Sequence, residues 1–195
     1  MFSLTPSDST SGLKTGSAKT SASGSGFTDA GGPAVKNNST AIPFHIVLIE
    51  PEIPPNTGNI ARLCGATGTV LHLVGKLGFS IDDKHLKRAG LDYWDTVDVR
   101  QWPDLEALQL SFPEGRFWYT SKKAARTHVQ ADFQPGDFLV FGKETFGLSE
   151  ELLQRNAVRS IRIPIQSPVV RSLNLSTAAG IVLYEALRQT GQLEE

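Results

Sequence analysis

The chain has 195 residues, a formal net charge of −1 at pH 7 and a hydrophobic content of 39%. Its single cysteine, Cys64, excludes an internal disulfide, and no Cys/His cluster has metal-ligand spacing, so we expect no metal site. No apolar run approaches the roughly 20 residues that span a bilayer, which predicts a soluble, cytoplasmic protein. The balanced charge gives no sign of a nucleic-acid partner, although a local basic patch would still bind one.

Residues 1–43 differ in composition from the rest of the chain. They hold nine serines, six threonines and six glycines, without apolar periodicity. Such a segment cannot bury enough surface to offset the entropy of ordering it. It also lacks the apolar run of a signal peptide. We therefore predict a disordered tail over 1–43 and a single folded domain over 44–195.

Apolar runs rich in β-branched and aromatic residues predict six strands. They are FHIVLIE (44–50), TVLHLVG (69–75), DTVDVRQW (95–102), RFWYTS (116–121), DFLVFG (137–142) and SIRIPI (160–165). Helical patterns lie between and after them, at 57–67, 82–91, 102–110, 148–156 and 174–191. This alternation predicts an α/β domain with a largely parallel sheet flanked by helices.

The loops that follow the strands carry the functional signal. Ligands bind open parallel sheets outside the carboxyl ends of the strands. Four such loops are rich in polar and turn-forming residues: EPEIPPNTGN, TSKKAART, GKETFGLSE and PIQSPVVRSLNLS. None contains GxGxxG or a P-loop, so two common phosphate-binding devices are absent. We therefore expect a ligand site of another kind at this edge of the sheet.

The first of these loops leads into a helix. Asn56 or Thr57 is expected to cap that helix, which would place Arg62 on its second turn, close enough to the loop to meet a phosphate. A solvated surface charge is the alternative interpretation of Arg62. Cys64 lies in an apolar context and is expected to belong to the core.

Two later loops combine structural and functional features. In GKETFGLSE, Gly142 ends a strand, Gly147 permits a turn and Ser149 begins a helix, but Glu144 is an acid at the carboxyl end of a strand without a structural reason. In RSLNLS, Asn174 with Ser176 is expected to cap the last helix. The residues before that cap, Arg171 and Ser172, need another explanation.

Charge runs and the last helix suggest partners. The sequence contains two basic runs: Lys84, Lys87 and Arg88, and Lys122, Lys123 and Arg126. Such runs are usually solvated faces, but two runs that flank the same cleft would favour binding of a polyanion. The last helix is apolar on more than one side, which predicts a homodimer formed through it. The four histidines show no partner at a telling spacing, so we assign them no catalytic role.

Five motifs occur in the order NTGNIARLCG, AGLDYWD, FGKETFGL, IRIPI and RSLNLS. Together they resemble the SPOUT superfamily of RNA methyltransferases, and within it the single-domain tRNA 2'-O-methyltransferases that modify a wobble cytidine or uridine. The resemblance covers about residues 44–191. It implies a C-terminal deep trefoil knot, S-adenosyl-L-methionine as methyl donor, a homodimer and a tRNA substrate, with neither DNA nor a membrane as partner.

The resemblance also implies residue roles. Arg62 and Asn56 would be catalytic. Residues from three later loops and the preceding strand end would bind the cofactor: Tyr119, Thr120, Gly142, Glu144, Ile163, Ile165, Ser172, Leu173 and Asn174. Four residues would contact RNA: Arg88, Lys122, Arg171 and Tyr184.

The sequence departs from the family pattern in the second loop. Lys143 stands where the family usually has proline, and Phe146 stands where it usually has arginine, so loop stiffness and RNA contacts are the properties affected. Two alternative functions remain: a 2'-O-methyltransferase of another RNA, such as ribosomal RNA, and a non-catalytic knotted RNA-binding module. A nucleotide-dependent oxidoreductase is disfavoured by the missing glycine fingerprint.

Overall fold

The computed structural model describes residues 42–80 and 96–193. Within them, one sheet contains seven strands, and every pair of neighbouring strands is parallel. The strands are β1 (His45–Ile49), β2 (Val70–Val74), β3 (Val99–Trp102), β4 (Phe117–Thr120), β5 (Arg126–Thr127), β6 (Phe138–Phe141) and β7 (Ser160–Arg162). Their order across the sheet is β3-β2-β1-β6-β4-β7-β5.

Helices cover both faces of this sheet. They are α1 (Pro54–Thr67), α2 (Leu105–Ser111), α3 (Glu150–Arg155) and α4 (Leu175–Gln189), with 3-10 turns at His128–Gln130 and Ala157–Arg159. The helices α1 and α4 pack on one face of the sheet, and α2 and α3 pack on the other. None of the helices in the described part of the chain is long and apolar enough to cross a membrane.

The core consists of two layers, one on each side of the sheet. In β1, Ile46 and Leu48 point into the layer under α1 and α4, whereas Val47 points into the layer under α2 and α3. Because both faces are buried, the central strands read as continuous apolar runs and not as alternating patterns. Cys64 belongs to the first layer and is buried, as the sequence predicts.

The parallel α/β prediction is confirmed. The two-residue strand β5 was not predicted, and the other differences lie at the ends of elements. The strand β7 ends at Arg162, so Ile163 and Ile165 belong to the following loop. The helix predicted over 102–110 begins only at Leu105, because Trp102 still belongs to β3. The helix predicted over 82–91 lies outside the described residues.

The start of α1 differs from the prediction. The helix begins at Pro54 with Ile53 at the N-cap position, so neither Asn56 nor Thr57 caps it. Proline has no N–H, and two prolines occupy the first two helical positions, which removes donors that a cap would otherwise satisfy. As a result, Arg62 lies on the third turn of α1 and not on the second.

Two histidines form a hydrogen-bonded pair on the α2 side of the sheet. The indole Nε1 of Trp102 donates to His72 Nδ1 at 2.9 Å, and His72 Nε2 lies 2.9 Å from His45 Nδ1. Because an indole N–H can only donate, the proton of His72 sits on Nε2 and is donated to His45. Burial lowers the pKa of His45 to about 4 and that of His72 to about 3, with Arg100 opposing protonation of both and Asp98 partly offsetting this. Both rings are therefore neutral in the folded protein at neutral pH.

The lowered pKa values of this histidine pair predict that acid destabilises the protein. The unfolded histidines titrate near 6.5, so between that pH and about 4 the unfolded chain binds more protons than the folded one. The free energy of unfolding should therefore fall by about 2 kcal/mol between pH 7.5 and pH 5.5, as measured by urea unfolding. NMR signals of the His45 and His72 rings should keep their neutral shifts at pH 5.5. Ring titration near pH 6.5 in the folded protein would contradict this.

Candidate functional site

A cleft of about 550 Å³ opens at the carboxyl ends of four adjacent strands, β1, β6, β4 and β7. Each of these strands contributes the loop that follows it, and the start of α4 closes one side. Because all four strands are parallel and neighbours in the sheet, their carboxyl ends necessarily meet at one edge. The cleft lies where the sequence predicts a ligand site.

Most of the predicted site residues line this cleft. The described lining includes ten of them: Asn56, Thr120, Lys122, Gly142, Glu144, Ile163, Ile165, Ser172, Leu173 and Asn174. The side chains of Arg62, Arg171 and Tyr184 are exposed and lie outside the lining. Arg88 lies outside the described residues. The structure therefore brings together residues that are up to 118 positions apart in the chain.

Tyr119 points away from the cleft. Its side chain is buried in the layer under α2 and α3, and its hydroxyl accepts a hydrogen bond from Gln109 Nε2 at 3.0 Å. Burial raises the pKa of this phenol. The next residue, Thr120, faces the cleft, and its hydroxyl donates to the Val140 carbonyl at 2.8 Å. Tyr119, predicted as a cofactor-binding residue, is therefore not among the residues that line the cleft.

Glu144 joins the second loop to the first. Its Oε2 accepts from the backbone N–H of Glu52 at 2.9 Å, and its Oε1 accepts from the N–H of Ile53 at 3.3 Å. The same Oε1 accepts from Asn56 Nδ2 at 2.9 Å. A carboxylate with three donors is a strong anchor, because hydrogen bonds to charged groups are shorter and stronger than neutral ones. Glu144, for which the sequence showed no structural role, thus links the second loop to the first.

Asn56 extends this connection to the last helix. Its Oδ1 accepts from Asn174 Nδ2 at 2.9 Å, and Asn174 Oδ1 in turn caps α4 by accepting from the N–H of Ser176 at 2.9 Å. The predicted cap at Asn174 is confirmed. Since the Asn56 amide donates to Glu144 and accepts from Asn174, its orientation is fixed. The hydrogen-bonded series Glu144, Asn56 and Asn174 therefore connects three walls of the cleft, which are the second loop, the start of α1 and the start of α4.

The loop over 142–147 is a tight, braced turn. A side chain at Gly142 would overlap the backbone of Gly147, which folds back on it and adopts a φ of +72°. Lys143 Nζ lies 2.6 Å from Glu50 Oε2, and this carboxylate raises the pKa of the ammonium group. The hydroxyl of Thr145 donates to Glu52 Oε2 at 2.8 Å. Lys143, at the position where the family motif usually has proline, thus links the turn to the first loop by an ion pair.

The lining is apolar at its floor and polar at its rim. Ile161 and Val182 are fully buried residues of the lining, whereas Lys122 is exposed. The Arg162 guanidinium, which also lines the cleft, donates to the backbone carbonyls of Ala124 and Ala125. Lys123, also on the rim, pairs with Glu150. The described lining contains neither a histidine nor a cysteine. Such a cleft suits a ligand that has an apolar part and polar edges. Its described lining offers no histidine–thiol pair of the kind that forms covalent intermediates.

Sequence reasoning missed several residues of this site. Ile53 lines the cleft, and Glu50 and Glu52 brace the turn, but none of the three was singled out; Phe146, noted only as a departure from the family pattern, also lines the cleft. The run EPEIPP carries two of these acids, but its partners are more than 90 positions away. No local pattern reveals such a pairing.

Comparison of the sequence with known protein families identifies the family of this chain. The sequence profile of the SpoU rRNA Methylase family matches residues 43–184, and the chain belongs to this family. It is therefore a methyltransferase, a class in which the methyl group arrives on a bound donor.

Proteins and solved structures similar to this chain include several RNA methyltransferases. A Methylovorus glucosotrophus (strain SIP3-4) protein named tRNA (cytidine(34)-2'-O)-methyltransferase is 50% identical over 147 residues, which cover 75% of this chain and 95% of that protein. A solved structure described as "Structural insights into the 2-OH methylation of C/U34 on tRNA" has a TM-score of 0.71 and 45% identity, covering 75% of this chain and 95% of that one. An AdoMet-bound rRNA methyltransferase from Sinorhizobium meliloti has a TM-score of 0.67 and 25% identity, covering 76% of this chain and 57% of that one.

Proposed function

We propose that this protein transfers the methyl group of S-adenosyl-L-methionine to the ribose 2'-hydroxyl of the wobble nucleotide, a cytidine or modified uridine, in the anticodon loop of tRNA. The observation that carries this proposal is 50% identity along almost the whole length of a relative named for this reaction. The cleft supports it, because it holds at one sheet edge most of the residues that the motifs assign to a methyl donor. A tRNA substrate would place the reaction in the cytoplasm.

The donor fits the floor and walls of the cleft. The apolar side chains of Ile163 and Ile165 can flank an adenine ring, and the loops at Gly142 and Ser172 offer backbone groups at its edges. When bound, the cofactor supplies an electrophilic methyl group on a sulfonium. We propose that the segment over 160–174 threads through a loop as a trefoil knot, an arrangement that would fix these walls against each other.

The chain's own contribution to the reaction is alignment. Methyl transfer is an in-line displacement in which the ribose oxygen bonds the methyl carbon, the carbon–sulfur bond breaks and the hydroxyl proton is released to water. Holding the ribose oxygen opposite the methyl carbon therefore supplies much of the acceleration. A guanidinium stays protonated and is a poor base, so Arg62 acts by orienting the phosphate of the target nucleotide and stabilising charge that develops on the oxygen. Its exposed position on α1 leaves it accessible to RNA. Asn56, held by Glu144 and Asn174, positions the donor loops beside it.

RNA contacts come from the rim and the surrounding surface. Lys122 lies on the cleft rim and Arg171 is exposed in the loop before α4, so both can meet tRNA phosphates. Tyr184 and Arg88 belong to the same proposed interface. A 2'-hydroxyl target implies RNA and not DNA, and an anticodon loop offers the unstacked nucleotides that such enzymes reach.

The protein is proposed to work as a homodimer through α4. Tyr184 in the middle of this helix is 47% exposed, and its neighbours Gly180 and Ile181 are only half-buried. Small and apolar residues on one outward side of a helix favour close contact with a partner surface. Analytical sedimentation at micromolar concentration should give the mass of two chains, and Ile181→Glu should shift it toward one. A wild-type monomer would refute the dimer.

Transfer of labelled methyl from S-adenosyl-L-methionine tests the reaction. Total tRNA and ribosomal RNA are offered separately, and the products are digested with nuclease to find the modified nucleotide. Label in a 2'-O-methylated wobble nucleotide is the expected result. Label in ribosomal RNA alone would replace tRNA by another RNA, and donor binding without label in either would leave a non-catalytic binding module.

A further inference from the structure

Phe146 occupies an unusual place on the cleft rim. It lies at the tip of the braced turn over 142–147, lines the cleft and is 85% exposed. Ile53, on the opposite loop, also lines the cleft and is 44% exposed. Burial of a phenylalanine ring is strongly favourable, so an open aromatic beside a ligand cleft has surface available for a partner.

The backbone under Phe146 is fixed on both sides. Thr145 donates from its N–H and its hydroxyl to Glu52 Oε2, at 3.2 and 2.8 Å. On the other side, the N–H of Gly147 donates to the Lys143 carbonyl at 2.8 Å. A ring presented by a rigid turn loses little conformational entropy when it binds, because only two side-chain torsions remain to be ordered.

Exposed apolar side chains away from the cleft lack this setting. Leu110 is 74% exposed on α2 and Val158 is 77% exposed in a 3-10 turn, and neither lines the cleft. Scattered apolar residues of this kind are normal on protein surfaces. Phe146 differs because it combines an aromatic face, a braced backbone and a place at the mouth of the site.

We propose that Phe146 is the stacking platform for the nucleobase of the nucleotide that is methylated. This inference rests on the proposed function. Every base has a flat π-face that stacks on an aromatic ring without regard to its hydrogen-bonding edge, which suits an enzyme that accepts cytidine and uridine alike. Stacking the base at the rim holds the attached ribose over the cleft, so Phe146 is a positioning residue for the 2'-hydroxyl.

Stacking can be measured apart from catalysis. An anticodon stem-loop with 2-aminopurine at the wobble position is titrated with protein and S-adenosylhomocysteine, because 2-aminopurine fluorescence is quenched when the base stacks. Phe146→Leu keeps apolar bulk without an aromatic face, and Phe146→Tyr keeps the face. Leu110→Ala is the matched control for loss of an exposed apolar side chain outside the cleft.

Wild type, Phe146→Tyr and Leu110→Ala are expected to quench the probe, whereas Phe146→Leu should not. With unmodified tRNA, Phe146→Leu should lower kcat/KM about tenfold, equivalent to about 1.4 kcal/mol, and leave the Kd for S-adenosyl-L-methionine unchanged. Equal quenching by Phe146→Leu and wild type would overturn the stacking role. Failure of the wild type to methylate a wobble nucleotide would instead overturn the proposed function, so the two results are distinguishable.

Discussion

Replacing Arg62 with alanine is expected to lower the rate of methyl transfer at least about a hundredfold to a thousandfold, the loss seen when a group that stabilises developing charge is removed. The affinity for S-adenosyl-L-methionine should be unchanged, because the Arg62 side chain lies outside the cleft lining. The free energy of unfolding should change by no more than about 1 kcal/mol, since the contacts of an exposed side chain contribute little to stability. Single-turnover transfer to tRNA, calorimetric cofactor titration and thermal unfolding measure the three quantities.

Two further variants sharpen this test. Arg62→Lys keeps the charge but loses the planar fork that holds a phosphate by two hydrogen bonds, so it should recover only part of the rate. Arg155→Ala removes an arginine that is exposed on α3 and should leave the rate unchanged. If Arg62→Ala weakened cofactor binding as much as it slowed transfer, Arg62 would belong to the donor pocket or to folding and not to the reacting nucleotide.

The second large effect is expected at Glu144. Glu144→Ala removes the acceptor for two backbone N–H groups and for Asn56, which releases both the start of α1 and the link to α4. The free energy of unfolding should fall by about 2 kcal/mol, because a hydrogen-bonded carboxylate at a partly exposed site is lost. The Kd for S-adenosyl-L-methionine should rise about tenfold or more, since two walls of the cleft lose their common anchor.

Glu114→Ala is the control for this variant, because Glu114 is an exposed carboxylate in the turn after α2 and does not line the cleft. It should change neither the unfolding free energy nor the cofactor Kd. A Glu144→Ala protein that binds the cofactor as tightly as wild type would show that the hydrogen bonds of Glu144 do not organise the cleft.

The sheet could be predicted because its signals are local. Apolar β-branched runs such as HIVLI and VLHLV are buried on both faces, and each lies between turn-forming residues. The caps at Ser149 and Asn174 were also readable, because a capping side chain acts only two or three residues away. The parallel arrangement followed from the alternation of strands and helices.

Other features depend on distant partners and left no local pattern. Glu144 and Asn56 are 88 positions apart, so the sequence could suggest that both serve the site but not that they bind each other. Tyr119 ends a strand beside the cleft, and strand alternation alone does not say which face its side chain takes until the neighbouring helices are placed. The start of α1 was misplaced because the polar residues after the prolines looked like caps, whereas the prolines themselves begin the helix.

The most direct test of the central proposal uses two synthetic tRNAs that differ in one oxygen. One has ribose throughout, and the other has a single 2'-deoxyribose at the wobble nucleotide. Both are incubated with the protein and labelled S-adenosyl-L-methionine. Label in the first tRNA and none in the second is the expected result, because the only acceptor has been removed. Equal labelling of both tRNAs would contradict methylation of the wobble 2'-hydroxyl.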